Sequence, residues 1–520
     1  MFILVLVPTM TYDAMVYHLA VPAKYIQAHR IHYIPHICFS NYSLNMEMLF
    51  TMGLLLGGDT LAKFIHLMFG LLSGAGIFCM ARRHFGQEEA APLATAWFSL
   101  LIFFSIPLAC FIMVQPFNDL GLVFYEIMAV YAFVNWTTTD KKPWIVMCAL
   151  MCGFAMGVKY TGGICAGILF VGVIWKEVQR HRSTKGVLPA KNLCLCMGTS
   201  ISLMLFIPFL LNLPWFIRAF VYTGNPVYPM LYPLFGGINW NDFNHIRYIH
   251  EMTAGYGPQV VWYLKPFVCI YQLSLDWKGK GVPVCPIFLL LLPGIILIKR
   301  LPVVFKLLAV YCLLFFLIWT YTSPVDRFFL PCMGILSIVI GYIAASLPLR
   351  RTVITWVILC CLWNTYHLCQ TIWINSYWKC IDKSAGQQLL KEQSPIDDYY
   401  PVIIYINTHL PSKSKILFIG ETRSYYCERE VLSNSHLDTT IIVEIVKKSR
   451  DEYAVLKRLK QQRITHILYN QTGADWLSQK FDYFHWDNKS QQEIYQRFMT
   501  RCLIPVYQKK GIVLFSVRSV

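Results

Sequence analysis

The chain is 520 residues long, 56% hydrophobic and only 14% charged, with a mean hydropathy of +0.48, which excludes an ordinary soluble enzyme and points to a polytopic membrane protein. The formal charge of +17 raises the question of nucleic acid. Its lysines and arginines instead flank apolar runs, where they orient helices and meet anionic lipid, so no nucleic-acid partner is expected.

The first apolar run, 2–7, is too short to span a bilayer. The parity of the later basic connections nevertheless requires the chain to enter from the cytoplasm before Asp13, so this crossing reads as truncated or misassigned. A cleaved signal peptide is not expected, because no basic segment precedes the run. Residues 9–58 then form a first extracytoplasmic region, with an interfacial helix over 13–27 and a second apolar stretch over 44–56 that is short for a span. Candidate crossings follow at 60–81, 90–112, 120–136, 143–158, 162–175, 193–213, 282–298, 303–320, 328–347 and 352–371. A second extracytoplasmic region, 214–281, is rich in Tyr, Trp, Asn, Gly and Pro, the composition of a structured loop at the headgroup level.

Alternate connections carry Arg82, Arg83, Lys141, Lys142, Lys176, Arg180, Arg182, Lys185, Lys299, Arg300, Arg350 and Arg351. The positive-inside bias assigns these connections to the cytoplasm. Together with the first run, the expected fold is a polytopic α-helical membrane protein of about 11 transmembrane helices, with the C-terminus outside the cytoplasm. The predicted domains are a transmembrane unit over 1–371 and a small extracytoplasmic α/β domain over 372–520. In the latter, KILFIG (415–420) and ITHILYN (464–470) read as buried strands with a charged helix over 451–462 between them, and a hairpin of 503–507 and 512–517 turning at Lys509, Lys510 and Gly511 closes the sheet. Gly420 is no phosphate-binding fingerprint, since GETRSY lacks the further glycines of such a loop. The 18 cysteines show no zinc spacing, and Cys380, Cys427 and Cys502 in the polar region support no disulfide framework.

The basic residues mark one membrane face, so Asp13, Glu47, Asp119, Lys159, Asn225 and Arg327 fall at the other. Carboxylates and cations gathered there from distant segments suggest chemistry on a charged, lipid-borne substrate. Asp13 in TYDAMVYHLAVP is placed to act as a general base, or to cap the helix that follows. Asp119 in QPFNDLGLVFYE is open to the same two readings. The two carboxylates together could hold an acceptor hydroxyl, or a divalent metal through oxygen ligands. Lys159 and Tyr160 lie in GFAMGVKYTGG, whose glycines let backbones approach closely. The lysine there either neutralises a phosphate or snorkels to the interface. Arg327 in SPVDRFFLP is a second phosphate candidate, with an ion pair to Asp326 as the alternative. YTGNPVYPMLYPLFGG (222–237) is a rigid aromatic turn in which Asn225 and Tyr228 are candidates for a sugar or lipid pocket. His18, Lys24 and Glu47 complete the candidate substrate-binding set. His18 also reads as a satisfied interfacial histidine, whereas Glu47 within an apolar stretch is costly without a function.

The order YDAMVYHLAVPAKYI, NMEML, NDLGLVFYEIMAVYAF, GFAMGVKY, TGNPVYP and DRFFLP resembles the membrane glycosyltransferases of the GT-C class. It is most similar to the bacterial glycosyltransferase-39 and RgtA/B/C/D-like families, related to protein O-mannosyltransferases and the lipid A aminoarabinose transferase. The resemblance spans about residues 11–331. It implies a polyprenyl-phosphate sugar donor, a lipid, glycan or protein acceptor, and transfer at the extracytoplasmic face with inversion at the anomeric carbon. It implies further that Asp13 accepts the acceptor proton, that Asp119 is the acidic residue opening a later helix, and that Lys159 and Arg327 meet the departing phosphate. Asn118 precedes Asp119 where a second acid is expected in some relatives, which leaves metal dependence open. The implied setting is a bacterial inner membrane. A transporter or flippase of lipid-linked saccharides is the rival, as is a non-catalytic envelope assembly protein. A transporter should place charges near the midplane of an internally repeated fold, and no duplication is visible.

Overall fold

The computed structural model describes residues 1–85, 92–184, 190–253, 260–274, 287–347, 350–374, 378–379 and 399–518. Among these, six helices are long and apolar enough to cross a membrane: Asn45–His84, Asp119–Thr139, Gly162–Ser183, Gly198–Thr223, Val303–Thr322 and Asp326–Ser346. Helices Pro92–Phe104 and Pro107–Met113 make a seventh if counted as one span bent by 69°. The bend has a local cause. Pro107 bars Ile106 from the helical region, and Ile106 is extended.

The chain is therefore an integral, polytopic helical membrane protein, and helix length alone gives six or seven spans where eleven were expected. The remaining expected crossings are shorter apolar helices, Lys142–Val158, Ile287–Leu297 and Ile354–Trp363, or the five-residue turn Phe2–Leu6. Residues 282–286 of the expected 282–298 crossing lie outside the described residues.

Asp326–Ser346 is the hub of the bundle, almost wholly buried among its neighbours. Small residues allow the approach: a Cβ on Gly341 would lie 2.2 Å from Ser99 Oγ, and one on Gly334 would lie 2.9 Å from Ile127. The helix Asn45–His84 is interrupted at Gly57 and Gly58, where the chain folds back on itself. A Cβ on Gly53 would sit 3.0 Å from the Ala62 backbone nitrogen. The stretch 44–56 is thus the first arm of a helical hairpin and the span proper begins after Gly58. Gly58 has φ +71 and ψ −163, a region that only glycine occupies readily. Gly58→Ala meets no neighbouring atom, so its cost is purely backbone, expected at about 1–3 kcal/mol and measurable as a lowered thermal unfolding midpoint in detergent.

One expected boundary moves. Helix Ala190–Thr223 runs through Pro214 to Thr223, so the second large loop begins at Gly224. This extension is anchored laterally: Trp215 Nε1 donates to Asn45 Oδ1 (2.8 Å) and Arg218 Nη2 to the Tyr42 carbonyl (2.5 Å).

The C-terminal residues form a five-stranded sheet in the order β2-β1-β3-β5-β4, with β1 Lys415–Ile419, β2 Glu430–Leu432, β3 His466–Asn470, β4 Leu503–Lys509 and β5 Ile512–Val517. β1 runs parallel to β2 and β3, whereas β5 is antiparallel to β3 and β4. The period of two decides the layers. Ile416 and Phe418 pack on helix Tyr399–His409, while Leu417 and Ile419 face the helices Ile441–Lys447, Glu452–Gln461 and Lys489–Arg501. Asp451 caps the expected charged helix, accepting from Ala454 N. Gly420, φ +72, ends β1; a Cβ there would lie 2.2 Å from the Asn470 carbonyl oxygen, so the glycine serves a close crossing of backbones.

Candidate active site

The two ends of the bundle differ in charge. At one, Lys176 donates to the Trp136 carbonyl (2.8 Å) and pairs with Asp140, and Arg83 lies over the Trp144 ring. These contacts gather three of the basic connections at a single end. At the other, a cavity of about 130 Å³ is lined by Asp13, Glu47, Lys159, Tyr160 and Arg327, with aromatic walls that include Tyr17, Phe39, Tyr42, Tyr248 and Phe328. The C-terminal sheet sits on this end. Ser424 N donates to the Met15 carbonyl (3.1 Å), Ser435 N to the His36 carbonyl (2.9 Å), and Tyr426 to the Thr9 carbonyl (2.8 Å).

Asp13 caps nothing: its carboxylate makes no bond to the turn that follows. It pairs instead with Arg327 Nη2 at 2.6 Å. Burial, the largest single influence, acts to raise the Asp13 carboxyl, but the Arg327 guanidinium together with the nearby His18 and His436 imidazoles holds the group well below the usual carboxylate range. Arg327 lies in the first turn of its helix, its guanidinium carbon 5.5 Å from the Phe117 ring centre and 5.7 Å from that of Phe328. The pairing to Asp13 takes the place of the expected pairing with Asp326.

Lys159 follows Val158, the last residue of its helix, and its extended backbone carries the side chain back across the cavity floor. It does not snorkel. Its Nζ donates to Asp119 Oδ1 at 2.9 Å and lies 4.0 Å from the centre of the Phe328 ring. Asp119 is only 1% exposed, so it stands behind Lys159. Gly157 allows close approach, since a Cβ there would lie 2.1 Å from Asn45 Nδ2.

Glu47 opens the hairpin helix and is fully buried. His18 Nδ1 lies 2.7 Å from its Oε1, which also accepts from Asn118 Nδ2 at 3.2 Å. This network buttresses the floor; His18 is bonded through Nδ1, while its buried Nε2 has no partner among the described residues. Tyr160 lines the cavity and donates to the Tyr228 carbonyl at 3.2 Å.

Four expected substrate contacts are not in the cavity lining: His18, which stands behind Glu47, and Lys24, Asn225 and Tyr228. Lys24 donates to the Val431 carbonyl at 2.8 Å and so joins the helix Ala20–Gln27 to the sheet. Its burial lowers the ammonium to about 8. Asn225 folds its amide into its own turn, donating to the Met230 and Gly236 carbonyls and accepting from Val227 N. Tyr228 is 1% exposed and packs edge-on against Trp240. The aromatic turn is thus braced from within.

Two lining residues escape sequence reasoning, Glu251 and His436. Glu251 lies in helix Asp242–Thr253, and His436 in the loop after β2. His436 Nε2 is 2.9 Å from Glu251 Oε2. Burial, the largest single influence, acts to raise the Glu251 carboxyl, but the hydrogen bond to His436 together with the His436 and Lys480 charges leaves the group below its ordinary value. The available signal was the short run EVL at 430–432, a third parallel strand whose carboxyl end should face a ligand crevice. A further miss is Glu126, fully buried two turns below Asp119, which accepts from the Tyr311 hydroxyl at 3.4 Å.

A divalent ion does not fit the two aspartates. Each already faces a cation, Arg327 or Lys159, which would repel a metal. Among the described residues no group of three or more His, Cys, Asp or Glu side chains comes together in a metal-holding arrangement.

Fold and cavity together define a polytopic membrane protein with the architecture of the GT-C glycosyltransferases that the sequence resembles. Two crystal structures share it: ArnT from Cupriavidus metallidurans bound to undecaprenyl phosphate (13% identity, 99% of this chain and 95% of that one, TM-score 0.57), and the same protein in the apo state (13% identity, the same coverage, TM-score 0.58). The chain belongs to the family described as "Domain of unknown function (DUF8201)", whose model matches residues 45–334. No curated protein matches the sequence.

Proposed function

We propose that the chain is an integral membrane glycosyltransferase that moves a sugar from a polyprenyl-phosphate carrier to a lipid, glycan or protein acceptor at the extracytoplasmic face, with inversion. One observation carries this reading: Asp13, Lys159 and Arg327, far apart in sequence, line one cavity at the end of the bundle opposite the basic connections. The positive-inside bias makes that end extracytoplasmic, and with it the C-terminal domain. Eleven crossings would satisfy the same bias, with the shorter helices completing the set, in a bacterial inner membrane. The undecaprenyl phosphate bound to ArnT supports a carrier of that chemistry.

Arg327 and Lys159 are preplaced to stabilise negative charge as it develops on a departing phosphate. Asp13 takes the proton of the acceptor hydroxyl as that oxygen attacks the anomeric carbon. The resting ion pair gives the step an order. A donor phosphate that draws on the Arg327 guanidinium weakens its hold on Asp13, so the base gains proton affinity once the donor is seated. Asp119 holds Lys159 in place, and Glu47 with His18 supports the floor.

The test is a donor screen. Purified chain in sealed vesicles of known orientation is offered radiolabelled polyprenyl-phosphate pentoses and hexoses with membrane acceptors. Label should pass to acceptor on the outer face with the parent and not with Asp13→Asn. Equal transfer by both would remove the proposed base.

A further inference from the structure

We propose that Glu251 and His436 form a sugar-hydroxyl-binding pair, through which the C-terminal domain sets sugar specificity. The inference rests on the glycosyl-transfer reading and extends it to two further residues of the same cavity.

Both residues line the same cavity as Asp13, Lys159 and Arg327. Glu251 presents a carboxylate that would repel a phosphate, and an apolar lipid tail would offer no donor to the carboxylate oxygen that His436 leaves free. A hydroxyl-bearing ring answers both, since it donates to the carboxylate and can either donate to or accept from the imidazole. His436 Nε2 faces Glu251, and Nδ1 is buried with no protein partner among the described residues. The imidazole stands among the rings of Tyr12, Phe39 and Phe481, at 5.8, 5.7 and 4.9 Å between centres.

The loop that carries His436 is fixed rather than loosely apposed. Arg247 bonds to the His436 carbonyl, Asn244 Nδ2 to the Leu437 carbonyl (2.8 Å), and Thr439 to Asn244 Oδ1 (3.0 Å). Asp438 accepts from Cys38 N at 2.9 Å. Helix Asp242–Thr253 and the end of β2 are thereby locked in one register, as a site that discriminates between stereoisomers requires. The loop leaves the carboxyl end of a parallel strand, the edge at which open α/β sheets bind ligands.

The sugar could be that of the donor or that of a glycan acceptor, and the experiment separates them. Full-length Glu251→Gln and His436→Gln variants in lipid nanodiscs are titrated with bare undecaprenyl phosphate, then with undecaprenyl-phosphate pentoses and hexoses, and are assayed for KM toward a glycan acceptor. Bare-carrier affinity should stay within about twofold of the parent, which also reports an intact fold. Loss of one hydrogen bond to a charged or imidazole partner should weaken sugar recognition about tenfold. Weaker binding of loaded carrier alone assigns the pair to the donor sugar; a raised acceptor KM alone assigns it to the acceptor. If both variants keep every sugar-dependent constant within about twofold, the pair is merely structural and the inference falls. If the parent binds no carrier and Arg327→Met changes nothing, the glycosyl-transfer reading itself fails and takes the inference with it. The variants lie in different elements, so misfolding of one leaves the other informative.

Discussion

Asp13→Asn is expected to lower turnover by about three orders of magnitude, the middle of the range for removing a positioned general base, with the protein still folded in the membrane. Asparagine keeps the shape and can still accept from Arg327 but cannot take a proton. The Asp13 and Arg327 side chains are 20% and 25% exposed, so the guanidinium left behind stays partly hydrated and the fold tolerates the loss of charge. The pH profile of the parent gives an independent reading. A base works above its own pKa, and Arg327 holds Asp13 low in the free protein. The acid limb of kcat/KM should therefore lie below the usual carboxylate range. In the donor complex phosphate competes for Arg327, so the acid limb of kcat should appear at higher pH. Arg327→Met should shift the kcat/KM limb upward by the same logic. Coincident limbs in the parent, or full turnover in Asp13→Asn, would remove Asp13 from the reaction.

The sequence disclosed Asp13, Glu47, Lys159 and Arg327 because a charged residue beside an apolar run is expensive without a reason, and the basic connections supplied the sidedness. Their pairing pattern was less accessible. Arg327 has Asp326 beside it in sequence but Asp13 beside it in space, and only the packing of the first loop against the hub helix decides between them. Glu126 carries the same signal of a charge among apolar residues, but it lies two turns inside its helix from Asp119, away from the edge at which the other charges gather. Glu251 and His436 could not be singled out this way, since both lie in water-facing segments where polar residues cost nothing. Asn225 and Tyr228 misled in the other direction: amide and phenol suit a sugar, yet the turn that contains them uses both for its own bracing. In the fold, β1, β3 and the β4–β5 hairpin followed from alternation and turn chemistry. The three residues of β2 are too few to show any period.

The Asp119–Lys159 pair sets the second large effect, because there structure and chemistry can be pulled apart. Asp119 is 1% exposed at its side chain and Lys159 17%. Lys159→Met alone leaves a buried carboxylate without its cation, which should cost about 3–5 kcal/mol of stability as well as donor binding. A loss of activity in that variant would thus be ambiguous. Asp119→Asn combined with Lys159→Met removes both charges, and replacing a buried ion pair by neutral groups is often close to neutral for stability. The double variant should therefore regain most of the unfolding midpoint lost in the single variant, measured in the same detergent, yet still bind bare undecaprenyl phosphate at least about tenfold more weakly than the parent, since a charge-assisted contact to the phosphate has gone. Recovery of both properties would make Lys159 a structural counter-ion for Asp119 and leave Arg327 as the sole phosphate cation of the proposed mechanism. Recovery of stability alone identifies Lys159 as a phosphate ligand whose position Asp119 maintains.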